Sequence, residues 1–348
     1  MIVTVTLNAS LDKTYSVPGF GVGRDAAAAR VEYSPGGKGL NVASFARTLG
    51  ARVLATGILA GHAGRHVREL LTSRGVDHDF VYAPGETRSC HIIHDPESDT
   101  LTQIREKGPV LAPEVRRQVS AKIRSLTAKS RLFVFSGSVP PGLGADVYRE
   151  LIEMVRAAGV PAILDASGQP LAMGLQARPD LIKPNLQELD ELASRCGWPG
   201  VSAPANASLT DEQRRSVDRF ESLLSPSAEA VDQEAVRRAA AAAARSVQAR
   251  FGVDVVASMG PLGAVVVEDN SVYCVVPPRI AAVNTVSCGD ALVAGIAVGW
   301  TRGLDTRGAV RLGVATATAK ALRFETGQVA PEAVSRMLPQ VTTVPMHR

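Results

Sequence analysis

Val283-Asn284-Thr285-Val286-Ser287-Cys288-Gly289-Asp290-Ala291-Leu292-Val293-Ala294-Gly295 is the stretch that decides how this chain is read. Small residues and a glycine run into an acid. The acid runs into apolar positions Leu292, Val293, Ile296, Ala297 and Trp300 at helix-face spacing. That spacing predicts a helix starting at or beside Asp290. The first turn of a helix leaves amides without intrahelical partners, and the macrodipole makes that end electropositive. Ser287, Cys288 and Gly289 are small enough to let a phosphate reach those amides, so the stretch reads as an anion hole with a carboxylate in its mouth. Phosphoryl transfer needs that combination: amides for the migrating charge, and an acceptor for the proton of the attacking hydroxyl. A plain helix N-cap by Asp290 explains the same residues and stays open. At a helix N-terminus the Cys288 thiol is expected to have a lowered pKa, with a buried inert cysteine as the other reading.

Toward the other end, Ser34-Pro35-Gly36-Gly37-Lys38-Gly39-Leu40-Asn41-Val42-Ala43 leads into a helix that Gly50 stops. Gly36 and Gly37 let backbone amides approach a polyhydroxy ligand. Lys38 adds a mobile positive charge, and Asn41 can both donate and accept. The spacing is not that of a nucleotide P-loop, and a merely flexible loop is the plainer reading. Between the two stretches, strand and helix patterns alternate. Strands are expected at 2–8, 53–57, 132–135, 162–165, 181–182 and 253–258, with helices at 64–74, 146–158 and 187–195 among them. Such alternation argues an α/β fold with a mostly parallel sheet covered on both faces. Ligands of such sheets sit beyond the carboxyl ends of the strands, where Asp12 is expected in a loop after the first strand; a turn-forming Asp is the alternative.

Residues 13–34 and 88–107 carry short strand patterns that read as a small sheet outside the main one, the second as a hairpin around Pro96-Glu97-Ser98-Asp99. Arg88 and Arg105 fall there. Guanidinium forks suit a phosphate ester, though exposed arginines on an edge hairpin look the same. Ser138, at another strand end, could donate to the same phosphate. Asn185 and Glu188 are three apart as a helix begins, and a carboxylate with an amide suits a water-rich magnesium shell. A capping box is equally sound chemically. Lys183 beside them could neutralise charge on a transferring group. Ser258, Gly260 and Gly263 follow a strand and leave room for a nucleotide over the backbone, or form a hairpin turn.

The 348 residues can bury a large core, and a 45% hydrophobic, 21% charged composition is ordinary for a globular chain. A net charge of +4 with scattered basic residues argues against a nucleic-acid or membrane surface. No apolar run is long enough to span a bilayer and no signal peptide is evident, so a cytoplasmic location is expected. Cys90, Cys196, Cys274 and Cys288 lack metal-ligand spacing, and the pairs His62/His66 and His91/His94 lack the further ligands of a zinc site. Residues 198–235, rich in Pro, Ser and Ala, break the strand–helix rhythm and read as an insertion with a helix at 211–224 and another from Asp232; no chemistry is assigned to them.

Taken together, Ser34 to Ala43 and Val283 to Gly295 resemble the paired signatures of the ribokinase-like, or PfkB, carbohydrate kinases. Thr4-Val5-Thr6-Leu7-Asn8 leading to Leu11-Asp12, Ser136-Gly137-Ser138-Val139-Pro140-Pro141-Gly142, and Leu181-Ile182-Lys183-Pro184-Asn185 with Glu188-Leu189 resemble the branch that holds 1-phosphofructokinase and tagatose-6-phosphate kinase. The resemblance implies a ribokinase-like three-layer sandwich. Its α/β kinase core would comprise 1–12, 35–87 and 108–348, and its β lid 13–34 and 88–107, the lid often forming a homodimer contact. It implies a cytoplasmic kinase using ATP and Mg2+ on a ketohexose phosphate, most simply fructose 1-phosphate, with tagatose 6-phosphate or fructose 6-phosphate as the alternative. It places Asp12, Gly36, Gly37, Lys38, Asn41, Arg88, Arg105 and Ser138 on the sugar phosphate. Lys183, Asn185, Ser258, Gly260, Gly263, Asn284 and Gly289 go to the nucleotide, Glu188 and Asn185 to the metal. Catalysis falls to Asp290 as base, with amides from Ser287 through Cys288 and Gly289. Some positions depart from the family pattern. Cys90 stands where relatives often have Asn, Gln103 and Arg105 where they have Glu and Asn, Ser287-Cys288 where they have Gly-Ala, and Asn284 where many have Asp. A catalytically weakened sugar-phosphate-binding regulatory protein is therefore a reading of another class.

Overall fold

The computed structural model describes residues 1–195, 233–269 and 271–346. The helix expected at 211–224 lies outside the described residues, as does the insertion up to its last three positions, which open the helix Gln233–Phe251.

The strands are β1 (Ile2–Thr6), β2 (Ser10–Ser16), β3 (Arg30–Gly36), β4 (Val53–Ala60), β5 (Asp77–His78), β6 (Val81–Ala83), β7 (Arg88–Asp95) and β8 (Thr100–Arg105). They continue with β9 (Leu132–Ser136), β10 (Ala162–Asp165), β11 (Leu181–Ile182), β12 (Asp254–Ser258), β13 (Ala264–Glu268), β14 (Ser271–Val276) and β15 (Thr342–Pro345). The large sheet runs in the order β15-β14-β13-β12-β11-β10-β9-β1-β4-β5, with β6 also on β4. From β12 to β5 the pairings are parallel; β13, β14 and β15 extend one edge antiparallel. A three-strand antiparallel edge is not marked by strand–helix alternation and is a finding of the structure.

Alternate residues of each central strand feed opposite faces. Phe133 and Phe135 pack with Val3, Val5 and Tyr148 on one side. Leu132 and Val134 pack with Ile2, Phe45 and Val293 on the other. Helices Pro113–Thr127, Val147–Ala157, Leu186–Arg195 and Gln233–Phe251 cover the first face; Lys38–Thr48, Gly61–Ser73, Cys288–Thr301 and Thr306–Ala321 cover the second. The last two helices touch at glycines. A Cβ on Gly295 would lie 2.4 Å from the Gly313 Cα, so only glycine lets these backbones approach so closely. Among the described residues no helix is long and apolar enough to cross a membrane.

A second sheet, in the order β3-β2-β7-β8, stands apart from the first. Its strands reach further than the sequence pattern indicated. β2 starts at Ser10 and β3 reaches Gly36, so Asp12 lies within a strand rather than in a loop. Register places Asp12 opposite Ser34 and Cys90, and Cys90 opposite Arg105, so these residues share one face of the small sheet.

Candidate active site

The parallel strands β1, β9, β10, β11 and β12 open their carboxyl ends to one side, and the candidate residues gather there. Asp165 is the last residue of β10 and its side chain is fully buried. Its Oδ1 accepts from Lys38 Nζ at 3.1 Å and lies 3.3 Å from Lys183 Nζ. Lys38 also reaches Glu188 at 3.3 Å. Burial alone would push Asp165 up, but Lys183 and Lys38 hold its pKa below the usual carboxylate value. Burial likewise opposes the Lys38 ammonium, yet Asp165, Glu188 and Asp290 raise its pKa above normal. Asp165 is not among the candidate residues that the motifs mark. It nevertheless carries a legible signal, an acid closing a parallel strand before small residues, where ligands of α/β sheets sit.

Asp290 is the third residue of the helix Cys288–Thr301, inside its first turn rather than at the cap, which is Ser287. Asn41 Nδ2 donates to its Oδ2 at 2.8 Å. Lys38 and Asn41 are three apart on the first turn of their own helix and so face the same site. Burial, reinforced by the negative charge of Asp165, raises Asp290 to about 7, with Lys38, the Asn41 bond and Lys183 pulling the other way. A carboxyl poised near neutrality is what proton acceptance requires.

The helix end narrows the set of amides open to an anion. The Cys288 amide donates to Thr285 O at 3.2 Å and the Ala291 amide to Ser287 O at 3.0 Å. The amides of Gly289 and Asp290 are left without an acceptor among the described residues. A Cβ on Gly289 would stand 3.6 Å from Lys183 Nζ, so the ammonium lies beside those amides. Ser287 precedes them with φ +66°, a left-handed conformation that glycine takes without strain.

On the small-sheet side, Arg88 Nε donates to Asn8 O at 3.2 Å and Nη1 to Glu106 O at 3.2 Å. Asn8 Nδ2 in turn donates to Ser138 Oγ at 3.0 Å. Asn8, which the sequence pattern marks only as a strand end, ties Arg88 to Ser138. Ser10 Oγ donates to Asp12 Oδ1 at 2.6 Å, and burial raises the Asp12 pKa. Gly36 packs directly on this pair: a Cβ there would lie 1.9 Å from Asp12 Oδ1. Arg105 is exposed and donates to the Gln103 side chain, in line with the edge-hairpin reading, although its register keeps it on the Asp12 face.

Several residues expected at the nucleotide are engaged by the protein itself. Asn185 and Glu188 form a reciprocal capping box: Glu188 N to Asn185 Oδ1 at 2.7 Å, and Asn185 N to Glu188 Oε2 at 2.9 Å. Asn284 is buried, with Nδ2 donating to Phe324 O at 2.6 Å and Oδ1 accepting from the Val286 amide at 2.9 Å. Its side chain shapes the backbone strap instead of facing outward. Ser258 N donates to Pro184 O at 2.9 Å, Gly260 opens a 3-10 turn, and Gly263 closes it with φ +90°. A Cβ on Gly263 would meet Val275 O at 2.0 Å, so this glycine serves the turn into β13. Among the described residues no three His, Cys, Asp or Glu side chains converge as a metal cage.

The family model for the pfkB family carbohydrate kinases matches residues 6–333. The chain belongs to this family. It is 34% identical to the 1-phosphofructokinase of Rhodobacter capsulatus, over 90% of this chain and 88% of that one. It is 27% identical to the tagatose-6-phosphate kinase of Staphylococcus epidermidis strain RP62A, over 99% of both chains. Phosphofructokinase-2 from Escherichia coli superposes with a TM-score of 0.80 at 25% identity, covering 97% of this chain and 98% of that one. As a pfkB-type sugar kinase the protein uses ATP as phosphate donor, and the α/β architecture with its separate small sheet is the one the resemblance implied.

The kinase departs from expectation at Cys288. Its thiol is pushed up to about 11, chiefly by burial, with Lys320 lowering it and Asp290 raising it. Desolvation and the neighbouring Asp290 carboxylate both oppose a thiolate here. The raised pKa favours the protonated thiol, although the residue is partly exposed rather than buried. Cys90 and Cys274, by contrast, are buried free thiols, and Cys196 lies outside the described residues.

Proposed function

We propose that this kinase transfers the γ-phosphoryl of ATP to fructose 1-phosphate, giving fructose 1,6-bisphosphate. One observation carries the reading: Asp290, raised to about 7, is held by Asn41 against the open amides of Gly289 and Asp290, with the Lys38–Asp165–Lys183 cluster alongside. Asn41 occupies Oδ2, so Oδ1 is the atom that takes the proton of the attacking hydroxyl. The amides and Lys183 receive the migrating negative charge. Arg88, Asn8, Ser138 and Asp12 form the pocket for the sugar phosphate, Arg88 supplying the fork for its phosphate. Intact Asp290, Gly289 and Lys38 weigh against a catalytically weakened binding protein.

A magnesium ion fits this site through water. Mg2+ keeps several waters and takes one or two carboxylates plus phosphates, so no cage is needed. Glu188 is the residue to hold it, its oxygens already oriented by Lys38 and the Asn185 amide. The ion would neutralise charge on the β- and γ-phosphates.

The substrate choice follows the relative named 1-phosphofructokinase. Tagatose 6-phosphate is the alternative that the second relative supports. An ADP-release assay over fructose 1-phosphate, fructose 6-phosphate and tagatose 6-phosphate separates them by kcat/KM. Preference for either 6-phosphate overturns the assignment. In the same assay Arg88→Ala is expected to raise KM for the sugar phosphate far more than for ATP, since a charge-assisted bond contributes about 1.5–3 kcal/mol. Equal effects on both substrates would contradict the placement.

The outer face of the small sheet supports a homodimer. Val31, Tyr33 and Ile104 are exposed there, opposite the Asp12 face by register. Light scattering of the full chain is expected to give twice the monomer mass; a monomer at micromolar concentration rejects the dimer.

A further inference from the structure

The strap that ends at the open amides, Val283 to Ser287, is stitched to the end of the helix Thr306–Ala321. The Val283 and Asn284 amides donate to Ala321 O at 2.7 and 3.2 Å. The Asn284 side chain binds Phe324 O, and the Gly327 amide reaches Ser287 Oγ at 3.5 Å. Among these bonds sits Lys320. The residue is fully buried, and its ammonium donates to Asn284 O at 3.0 Å and Arg323 O at 3.1 Å. It takes part in no ion pair among the described residues.

A lysine this deeply buried ordinarily needs a carboxylate partner. Here backbone carbonyls take that part, as they do when they replace the hydration shell of a monovalent ion. Lys320 also lies in the last helical turn, where the dipole favours a cation. Burial works against its charge, Glu325 favours it and Arg323 opposes it. The glycine contact between Gly295 and Gly313 brings its helix close enough for the ammonium to reach the strap. The strap needs such a hold, because Ser287 sits in a left-handed conformation that persists only when its surroundings impose it.

We propose that Lys320 is a tethered monovalent cation: its ammonium binds two loop carbonyls that a free potassium or ammonium ion would otherwise bridge, and so fixes the strap that aims the Gly289 and Asp290 amides. Lys320 touches neither substrate and is a positioning residue; its effect on turnover rests on the kinase reading above. Potassium and ammonium share the size and charge of the group it supplies, and choline is too large to enter.

The full-length chain is assayed in potassium, ammonium or choline chloride at one ionic strength. Wild type is expected to turn over equally in all three. Lys320→Ala is expected to lose about tenfold or more of kcat in choline, while KM for sugar phosphate stays near wild type, because a slightly misaimed anion hole costs rate before affinity. Potassium or ammonium should restore most of that rate, and should raise the melting temperature of the variant but not of wild type. Lys320→Met fills the cavity without charge and should stay slow in every salt. Activation of wild type by either small cation overturns the proposal. So does a folded Lys320→Ala with full turnover in choline, or one whose rate and melting temperature respond to no cation. Should Lys320→Ala not fold, the wild-type series and Lys320→Met decide: a cation-activated wild type or a fully active Met variant rejects the idea. Should wild type phosphorylate no sugar phosphate, the kinase reading fails, and the melting-temperature series still decides for Lys320.

Discussion

Asp290→Asn is expected to lower kcat by about 10²–10⁴ while ATP still binds, because the change keeps the shape and removes the proton acceptor. The amide can still be held by Asn41, so nucleotide affinity, followed by isothermal titration, should stay close to wild type. The pH profile gives a second readout. Asp290 must be ionised to accept a proton, and its pKa is raised to about 7. After correction for ionisation of the substrate phosphate, kcat/KM should therefore rise with pH through about 7 in wild type, and this limb should vanish in Asp290→Asn. Stability should move the opposite way. A carboxyl whose folded pKa is raised destabilises the fold once ionised, so the penalty is absent below the unfolded value near 4 and complete above the folded one. Asp290→Asn should thus raise the melting temperature more at pH 8 than at pH 5. Turnover within tenfold of wild type would reject Asp290 as the base.

Asp165→Ala should produce the largest loss of stability, about 3–5 kcal/mol, because it strands buried cations whose partner has been removed. Lys183 has a side chain 4% exposed and lies 3.3 Å from Asp165, so it loses its nearest counter-charge in a place water scarcely reaches. Lys38, one-third exposed, keeps Glu188 and suffers less. Urea denaturation at pH 7 measures the difference. The folded pKa of Asp165 is depressed, so its contribution is present above the unfolded pKa near 4 and is lost as pH falls through the folded value. The gap between wild type and variant should therefore close in acid. A variant within about 1 kcal/mol of wild type, the size of an ordinary surface change, would show that Asp165 does not hold the two lysines.

The elements of this kinase were legible where local pattern governs them. Alternation in Ile2–Thr6 and the apolar spacing after Asp290 predicted a strand and a helix, and both are present. The motif pair around Lys38 and Asp290 was legible as a pair, and Asn41 does bond Asp290 across 249 residues of chain. Other assignments turned on geometry that spacing does not contain. Asn185 and Glu188 satisfy a capping box and a metal shell with the same three-residue interval, and only the reciprocal bonds reveal the first. Asn284 sits in the right motif, yet its side chain turns inward to Phe324 and Val286.

By itself the sequence determined the sugar-kinase family, the strand–helix order and the acid at the head of the Cys288 helix. Propensity, periodicity and small-residue runs are local properties, carried by neighbours along the chain. Tertiary structure alone decided the charges. The helix N-terminus that should ionise a thiol also holds Cys288 largely out of water, and that desolvation pushes the thiol up to about 11. Asp165 became the partner of two lysines because β10 and β11 lie side by side, bringing Lys183 to it while the Lys38 helix packs across. Lys320, a residue type that usually lies in water, is fully buried because two helices meet at glycines and carry it to a pair of carbonyls. Desolvation and charge pairing depend on what surrounds a group in space, and residues far apart in the chain supply those surroundings.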